Sequence, residues 1–124
     1  MGYIAHDAII VTVSDYILGR ETDPLMPDVD AFRASLPAEW QALIVGPVTS
    51  ITNGYLTFAF LPDGSKEGWG TSDRGDEYRE QFAALFSFRY DDGSSPFDVV
   101  RVRFGGDERY EPTVTGPAEP AESN

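Results

Sequence analysis

The dipeptide Asn53-Gly54 lies between two β-prone runs in the stretch VTSITNGYLTFAFL, and it constrains the fold more than any other feature of the chain. A hairpin with a type I′ turn needs positive φ at both central residues, which Asn and Gly adopt more readily than other residues. The stretch therefore predicts a β-hairpin. Alternation in its second arm predicts two faces, with Leu56, Phe58 and Phe60 on one and Tyr55, Thr57 and Ala59 on the other.

Further β-prone and helical patterns lie on either side of this hairpin. The β-branched run at 4–13 and the alternating run at 97–104 indicate the first and last strands. Between the first strand and the hairpin, Asp28 is placed to cap a short helix, and residues 37–45 indicate a second helical piece. After the hairpin, the pattern predicts a helix of about four turns. Its buried side is predicted to carry Tyr78, Phe82, Leu85 and Phe86.

These elements predict an α+β fold in one domain. The order strand, helix, strand, strand, helix, strand is that of the ferredoxin-like βαββαβ arrangement. One helical layer then covers one face of an antiparallel sheet of four or more strands. A meander with extra hairpin strands around residues 86–104 is the competing architecture. The domain is predicted to span residues 1–107, and the Pro- and Glu-rich segment 108–124 is predicted to be a disordered acidic tail.

The charge of the chain restricts its partners. Twenty-one acidic residues against nine basic ones give a formal net charge of −12. Nucleic acids and anionic membranes are bound through Lys and Arg, so neither is expected as a partner. No stretch is apolar for long enough to span a membrane. An acidic surface suits a basic protein partner, or mimicry of DNA toward a DNA-binding protein, and it also serves solubility.

Few residues suited to catalysis or metal binding are present. The chain has no cysteine and a single histidine, His6, so no thiolate or multi-histidine metal site is expected, and no cofactor is predicted. His6 and Asp7 are neighbours on a strand and point to opposite faces, which argues against a catalytic triad with Ser14. The sequence therefore predicts a protein that is not an enzyme.

The loop PDGSKEGWGTSD leads into the long helix, which Ser72 or Asp73 is predicted to cap. Its spacing is not that of a phosphate-binding loop. Trp69 stands between two glycines and either folds onto the core or is presented to a partner, since tryptophan is enriched among binding hot spots. Lys66, Trp69 and Arg74 are the candidate partner-binding residues.

The sheet face away from the helices is the second candidate site. The predicted topology brings together four residues there: His6, Tyr55, Arg101 and Arg103. Arginine matches carboxylate and phosphate geometry, so these residues could bind an anionic small molecule such as a nucleotide. The favoured alternative is a homodimer interface, because a half-apolar sheet face is rarely left to water.

Three stretches, MGYIAHDAIIVTV, NGYLTFAFLPDGSKEGWGTSD and YREQFAALFSFRYDDGSSPFDVVRVRFGGD, resemble small uncharacterised proteins of actinobacteriophages of the mycobacteriophage type. The resemblance implies a viral accessory protein that acts in the host cell cytoplasm, and it carries over no catalytic residue. The predicted function is non-enzymatic binding of a host protein during infection. The alternatives are sequestration of a small nucleotide signal of host defence and acidic mimicry of DNA.

Overall fold

The chain forms a five-stranded antiparallel sheet with three helices on one face, in a computed structural model that describes residues 5–13, 26–64, 70–105 and 112–116. The elements in chain order are β1 (Ala5–Val13), α1 (Val29–Ala34), α2 (Ala38–Gln41), β2 (Ile44–Thr49), β3 (Leu56–Phe60), α3 (Gly70–Ala84), β4 (Phe97–Gly105) and β5 (Thr113–Thr115). The predicted α+β class is confirmed.

The strand order is β2-β3-β1-β4-β5, and every neighbouring pair is antiparallel. The first strand therefore lies between the third and the fourth, as predicted. Its register places Val11 opposite both Phe58 of β3 and Val99 of β4. The ferredoxin-like assignment itself stays a prediction. The sheet carries a fifth strand, and two short helices, α1 and α2, take the place of a single helix between β1 and β2.

The hairpin predicted from Asn53-Gly54 is confirmed, with a longer turn than expected. Both residues have positive φ, 68° and 67°. The backbone N–H of Ser50 donates to the carbonyl of Tyr55 at 2.8 Å, so four residues rather than two form the turn. The hydroxyl of Ser50 adds a bond by accepting from the N–H of Tyr55 at 2.9 Å. This side chain fastens the base of the loop and makes the longer turn possible.

The predicted helices are present, with different ends. Asp28 caps α1 as predicted, since its carboxylate accepts from the N–H of Ala31 at 3.0 Å. The helical piece predicted at 37–45 stops at Gln41, because Ile44 and the residues after it pair with β3 instead. α3 begins at Gly70, ahead of the predicted caps. For residues 44 and 45, pairing with β3 outweighs the local helical preference.

The core lies between the sheet and the helices. The predicted buried side of the helix is confirmed for Phe82, which is buried, and for Tyr78, which packs against the core. Leu85 and Phe86 follow the end of α3 at Ala84 and still join the same core. Aromatic rings meet within the core, with the ring centroid of Phe86 lying 5.6 Å from that of Phe58. The remaining members of the buried cluster are Ile9, Val11, Val13, Val29, Leu36, Trp40, Ile44, Phe58, Phe60, Phe97 and Val99.

The segment predicted to be a disordered tail includes a strand. Residues 113–115 form β5 and pair with β4, so that Val114 lies opposite Val102. The sequence Thr-Val-Thr is β-branched throughout, which suits a strand. Three residues within the predicted tail thus belong to the sheet, and residues 108–111 and 117–124 lie outside the described part of the chain.

Gly46 lies where β2 loses its regular pairing with β3. Its φ is +113°, and the register shifts between Val45 and Val48. A Cβ at this position would lie 2.6 Å from the carbonyl oxygen of Thr57 and 2.9 Å from the Cα of Phe58. Both contacts are to backbone atoms of β3, which cannot move without disturbing the sheet. Only glycine fits here.

We predict that Gly46→Ala lowers the free energy of unfolding by about 2–4 kcal/mol, because it adds a backbone clash to an unfavourable φ. Gly54→Ala is the matched control in the same hairpin, since Gly54 also has positive φ but has no atom within 4 Å of the added Cβ. The control should lose only about 1 kcal/mol. Urea unfolding measures both, and equal losses would contradict the packing role of Gly46.

Candidate functional site

The four predicted ligand-binding residues do not form one site. Residues directly opposite in an antiparallel pair share a face. Arg101 lies opposite Ile9, which is in the core, and Arg103 lies opposite Asp7. Both arginines are therefore on the helix-covered side of the sheet, and the prediction that placed them on the uncovered face is wrong. Alternation puts Val99 on the same side of β4 as both arginines, and Val99 is buried under the helices.

His6 and Tyr55 also lie far from each other. His6 is on the uncovered face, opposite Phe104, with ring centroids 5.2 Å apart. Tyr55 precedes β3, whose Thr57 pairs with Thr12 of β1. Thr12 is six residues along β1 from His6, which is about 20 Å of strand. The two side chains therefore lie toward opposite ends of the sheet.

The three predicted partner-binding residues are only partly accounted for. Lys66 and Trp69 lie outside the described residues. Arg74 is exposed on α3. The choice between a packed and a presented Trp69 therefore stays open.

A charged cleft between α3 and strands β1, β4 and β5 takes up both arginines of β4. Arg101 donates two hydrogen bonds to the carboxylate of Glu80, at 3.1 and 3.2 Å. Arg103 donates two to the carboxylate of Asp7, at 2.8 and 3.2 Å. Both pairs have the two-bond geometry in which guanidinium and carboxylate fit best. The cleft joins the helix to β4, and β4 to β1.

Arg79 of α3 lies on the floor of the cleft and is only 5% exposed. Its guanidinium contacts Asp76 at 2.9 Å, Asp63 at 3.3 Å and Asp7 at 4.0 Å. A buried guanidinium keeps its charge, so it needs carboxylate partners. The side chain of Asp63 is only 8% exposed, and the pair connects α3 to the segment that follows β3.

Gly75 makes the Asp63–Arg79 pair possible. It is buried within α3, and a Cβ there would clash with the carboxylate of Asp63 and lie 3.0 Å from the guanidinium of Arg79. Glycine inside a helix costs about 1 kcal/mol relative to alanine. The space that it leaves for the buried ion pair accounts for its presence.

The sequence contained a pattern that could have revealed this cleft. Arg79 stands three residues before Phe82, so it borders the side of α3 that is predicted to be buried. An arginine on that side needs acidic partners from another element. The identity of the partners, Asp63 and Asp7, depends on tertiary packing and could not be read from spacing.

The cleft encloses a cavity of about 380 Å³. Its charged lining is balanced, with three arginines and three carboxylates: Arg79, Arg101, Arg103, Asp7, Asp76 and Glu80. Among the described residues, no buried side-chain nitrogen or oxygen lacks a hydrogen-bond partner. The geometry is that of an ion-pair network that fastens α3 to the sheet. An anion would have to displace a carboxylate from an arginine to bind here.

The uncovered side of the sheet, which we call the open face, is the other candidate surface. It carries the strand residues that alternate with the core positions, and its large apolar side chains come from four of the five strands. They are exposed by 38% to 65% and comprise Ile10, Val45, Val48, Phe104 and Val114. In the described strands, the ionisable residues on this face are His6 and Asp98. The open face is thus apolar and nearly free of charge.

Comparison with protein-family models, with curated proteins and with solved structures finds no match. None of the described helices is long and apolar enough to cross a membrane. Within the described ranges, no group of three His, Asp or Glu side chains is arranged to hold a metal ion. The two surfaces are therefore interpreted from their own geometry.

Asp92, in the turn before β4, is a titratable group that does not line the cleft. The hydroxyl of Ser94 donates to its carboxylate at 2.6 Å and the Ser94 N–H donates at 2.9 Å, and these bonds lower the pKa of Asp92. Because these hydrogen bonds favour the ionised carboxylate, they stabilise the folded chain at pH values above the usual pKa of an aspartate. This contribution is lost as the pH falls through the lowered pKa of Asp92.

We predict that Ser94→Ala raises the pKa of Asp92 toward its usual value, because it removes the stronger of the two donors. A carboxyl NMR titration measures the change. Ser95→Ala is the control, since the Ser95 hydroxyl accepts from the N–H of Phe97. An unchanged pKa in Ser94→Ala would contradict the assignment.

For the cleft, we predict that Arg79→Met lowers the free energy of unfolding by about 3–5 kcal/mol, because it leaves the carboxylate of Asp63, whose side chain is only 8% exposed, without its cation. Arg101→Met is the matched control, since the carboxylate partner of Arg101 is largely exposed. Its loss should be about 0–1 kcal/mol. Urea unfolding measures both variants. Equal small losses would show that the network does not fasten α3.

Proposed function

We propose that this chain is a non-catalytic binding protein, and that the open face is the surface by which it holds another protein chain. The observation that carries the proposal is the set of exposed apolar side chains on Ile10, Val45, Val48, Phe104 and Val114. Large contiguous apolar patches on a folded protein mark interaction sites. Their position on the uncovered side of a sheet makes them one surface rather than scattered residues.

The charge distribution supports a protein contact at this face. Asp98 is the one carboxylate among the strand residues that we place there. The chain has a net charge of −12, yet this side carries few charged groups. Covering it with another chain therefore costs little free energy for desolvation of charges. Depletion of charge at the centre of the surface is the compositional mark of a protein interface.

The resemblance to actinobacteriophage proteins adds a class of partner and a place of action to this proposal. It makes a host protein the class of partner expected during infection, and the host cytoplasm the place of action. The proposed elements for the contact with a host protein are the exposed side of α3 with Arg74 and the preceding sequence segment that contains Lys66 and Trp69. These expectations rest on the resemblance and on residue chemistry.

Sequestration of a small anionic ligand is the weaker candidate. Its support is the cavity of about 380 Å³ lined by Arg79, Arg101 and Arg103. Against it, each of these guanidinium groups already contacts at least one carboxylate. DNA mimicry keeps its support from net charge alone. The open face is favoured over both because its exposed apolar side chains can be covered without breaking any of these ion pairs.

Site-specific photo-cross-linking tests the proposal. The chain has no cysteine, so one introduced thiol is the sole attachment point for a benzophenone maleimide. We predict that Val48→Cys and Phe104→Cys, both on the open face, give covalent protein adducts when the full chain is illuminated in extract of an actinobacterial host. Ile51→Cys is the control, since Ile51 is a fully exposed apolar residue in the hairpin turn.

Adducts from the two open-face positions and few from the control support the proposed surface. Two outcomes oppose it. Equal yields from all three positions would show that the probe reports exposure rather than a contact. The absence of adducts from Val48→Cys and Phe104→Cys would show that no protein covers the open face.

A further inference from the structure

We infer that the chain on the open face is a second copy of this protein, bound face to face about a two-fold axis. This inference rests on the proposed function, because it names the partner of the same surface. The two sheets would pack against each other with the helices of each copy on the outside. The result is a four-layer arrangement, helix, sheet, sheet, helix, of the kind in which aligned sheets interdigitate their apolar side chains.

The size of the open face suits such a contact. β1 has nine residues and is the middle strand of five. At about 3.3 Å per residue and about 4.8 Å between strands, the face measures about 30 Å along β1 and about 20 Å across. The flat area of the face is therefore several hundred Å² per copy, and the side chains that project from the sheet add to its accessible surface. A stable dimer buries about 800 Å² per partner, so the whole face has to take part.

The distribution of charge selects a second copy over a basic partner. The exposed acids of α3, Asp73, Asp76, Glu77 and Glu80, lie on the opposite side of the molecule from the open face. A basic partner would be drawn to that acidic side. Two copies, each with a net charge of −12, meet with least repulsion where carboxylates are fewest, which is the open face.

The edges of the sheet do not offer an equivalent contact. Arg33 donates to the carbonyl oxygens of Ile44 at 3.2 Å and of Gly46 at 3.0 Å, so part of the β2 backbone is already occupied. Pro47 has no N–H to offer to an incoming strand. At the other edge, β5 has only three residues. Edge-to-edge pairing would therefore form few hydrogen bonds, which leaves the face as the larger surface.

Symmetry makes the proposal sensitive to single substitutions. In a two-fold contact the same patch is used by both copies, so each change is counted twice. Phe104 is the one aromatic residue among the exposed apolar side chains of the open face named above, and its ring lies 5.2 Å from that of His6. Ile10 lies on the central strand, where the axis is expected to pass nearby. Replacing an apolar residue of the face by glutamate puts two new carboxylates into one interface.

Analytical ultracentrifugation of the purified full chain over about 1–500 μM tests the inference. We expect the wild type to sediment as a dimer of the 13.6 kDa chain. Phe104→Glu and Val48→Glu should each raise the dissociation constant at least about a hundredfold, since burial is lost twice and like charges meet. Ile51→Glu adds the same charge outside the face and should change it less than about threefold.

The ionic strength gives an independent readout. An apolar contact between two acidic copies should tighten as NaCl rises from about 0.05 to 0.5 M, because salt screens their repulsion. Weakening with salt would instead indicate an interface made of ion pairs and would overturn the inference. Circular dichroism must show that each variant is folded. Val114→Glu, on the short edge strand and 65% exposed, replaces any variant that is not.

The outcomes separate this inference from the proposed function. A monomeric wild type at all concentrations overturns the second copy, and so does an equal effect of Ile51→Glu and Phe104→Glu. If the chain is monomeric while open-face photoprobes still capture a different protein, the contact surface stands and only its occupant is wrong. If the chain is monomeric and no adduct forms, both proposals fail.

Discussion

The register of β1 is the constraint on which the rest of the structure depends. This strand pairs with β3 on one side and β4 on the other, and alternate residues along it go to opposite faces. Ile9, Val11 and Val13 enter the core, while His6 and Ile10 reach the open face. A slip of one residue would exchange the two sets and expose the core positions to water.

The same register brings the charged cleft together. Asp7 continues the core side of β1 beyond Ile9, where α3 places the charged side chain of Arg79 over the sheet. There it meets Arg103 from β4 and, at longer range, Arg79 from α3. The apolar core thus passes into an ion-pair network along one continuous side of the sheet. The network compensates the buried charge of Arg79 without requiring a ligand.

An uncovered apolar face is the functional consequence of this arrangement. The three described helices all pack on one side, so the residues on the other side of the sheet keep their apolar surface. In a chain with a net charge of −12, that surface differs from the acidic surroundings in both charge and hydration. Binding through it and solubility through the remaining acidic surface are compatible roles for one small domain.

Local patterns predicted much of the fold. Asn53-Gly54 indicated the hairpin, Asp28 the helix cap, and the spacing of Tyr78 and Phe82 the buried side of α3, because each depends on neighbours in the chain. The paired Arg101 and Arg103 were assigned to the wrong face. Alternation states which residues share a face but not which face the helices cover, and the buried Val99 shows that this side of β4 faces the helices.

The sequence by itself determined the α+β class, the antiparallel hairpin and the acidic surface, since composition and short-range periodicity set these properties. Only the tertiary structure decided that Arg79 is buried beside Asp63, that Arg101 and Arg103 are paired, and that the open face is apolar. These features join residues as distant as Asp7 and Arg103. Contacts of that range follow from strand order and register, which the packing of helices on one side of the sheet selects.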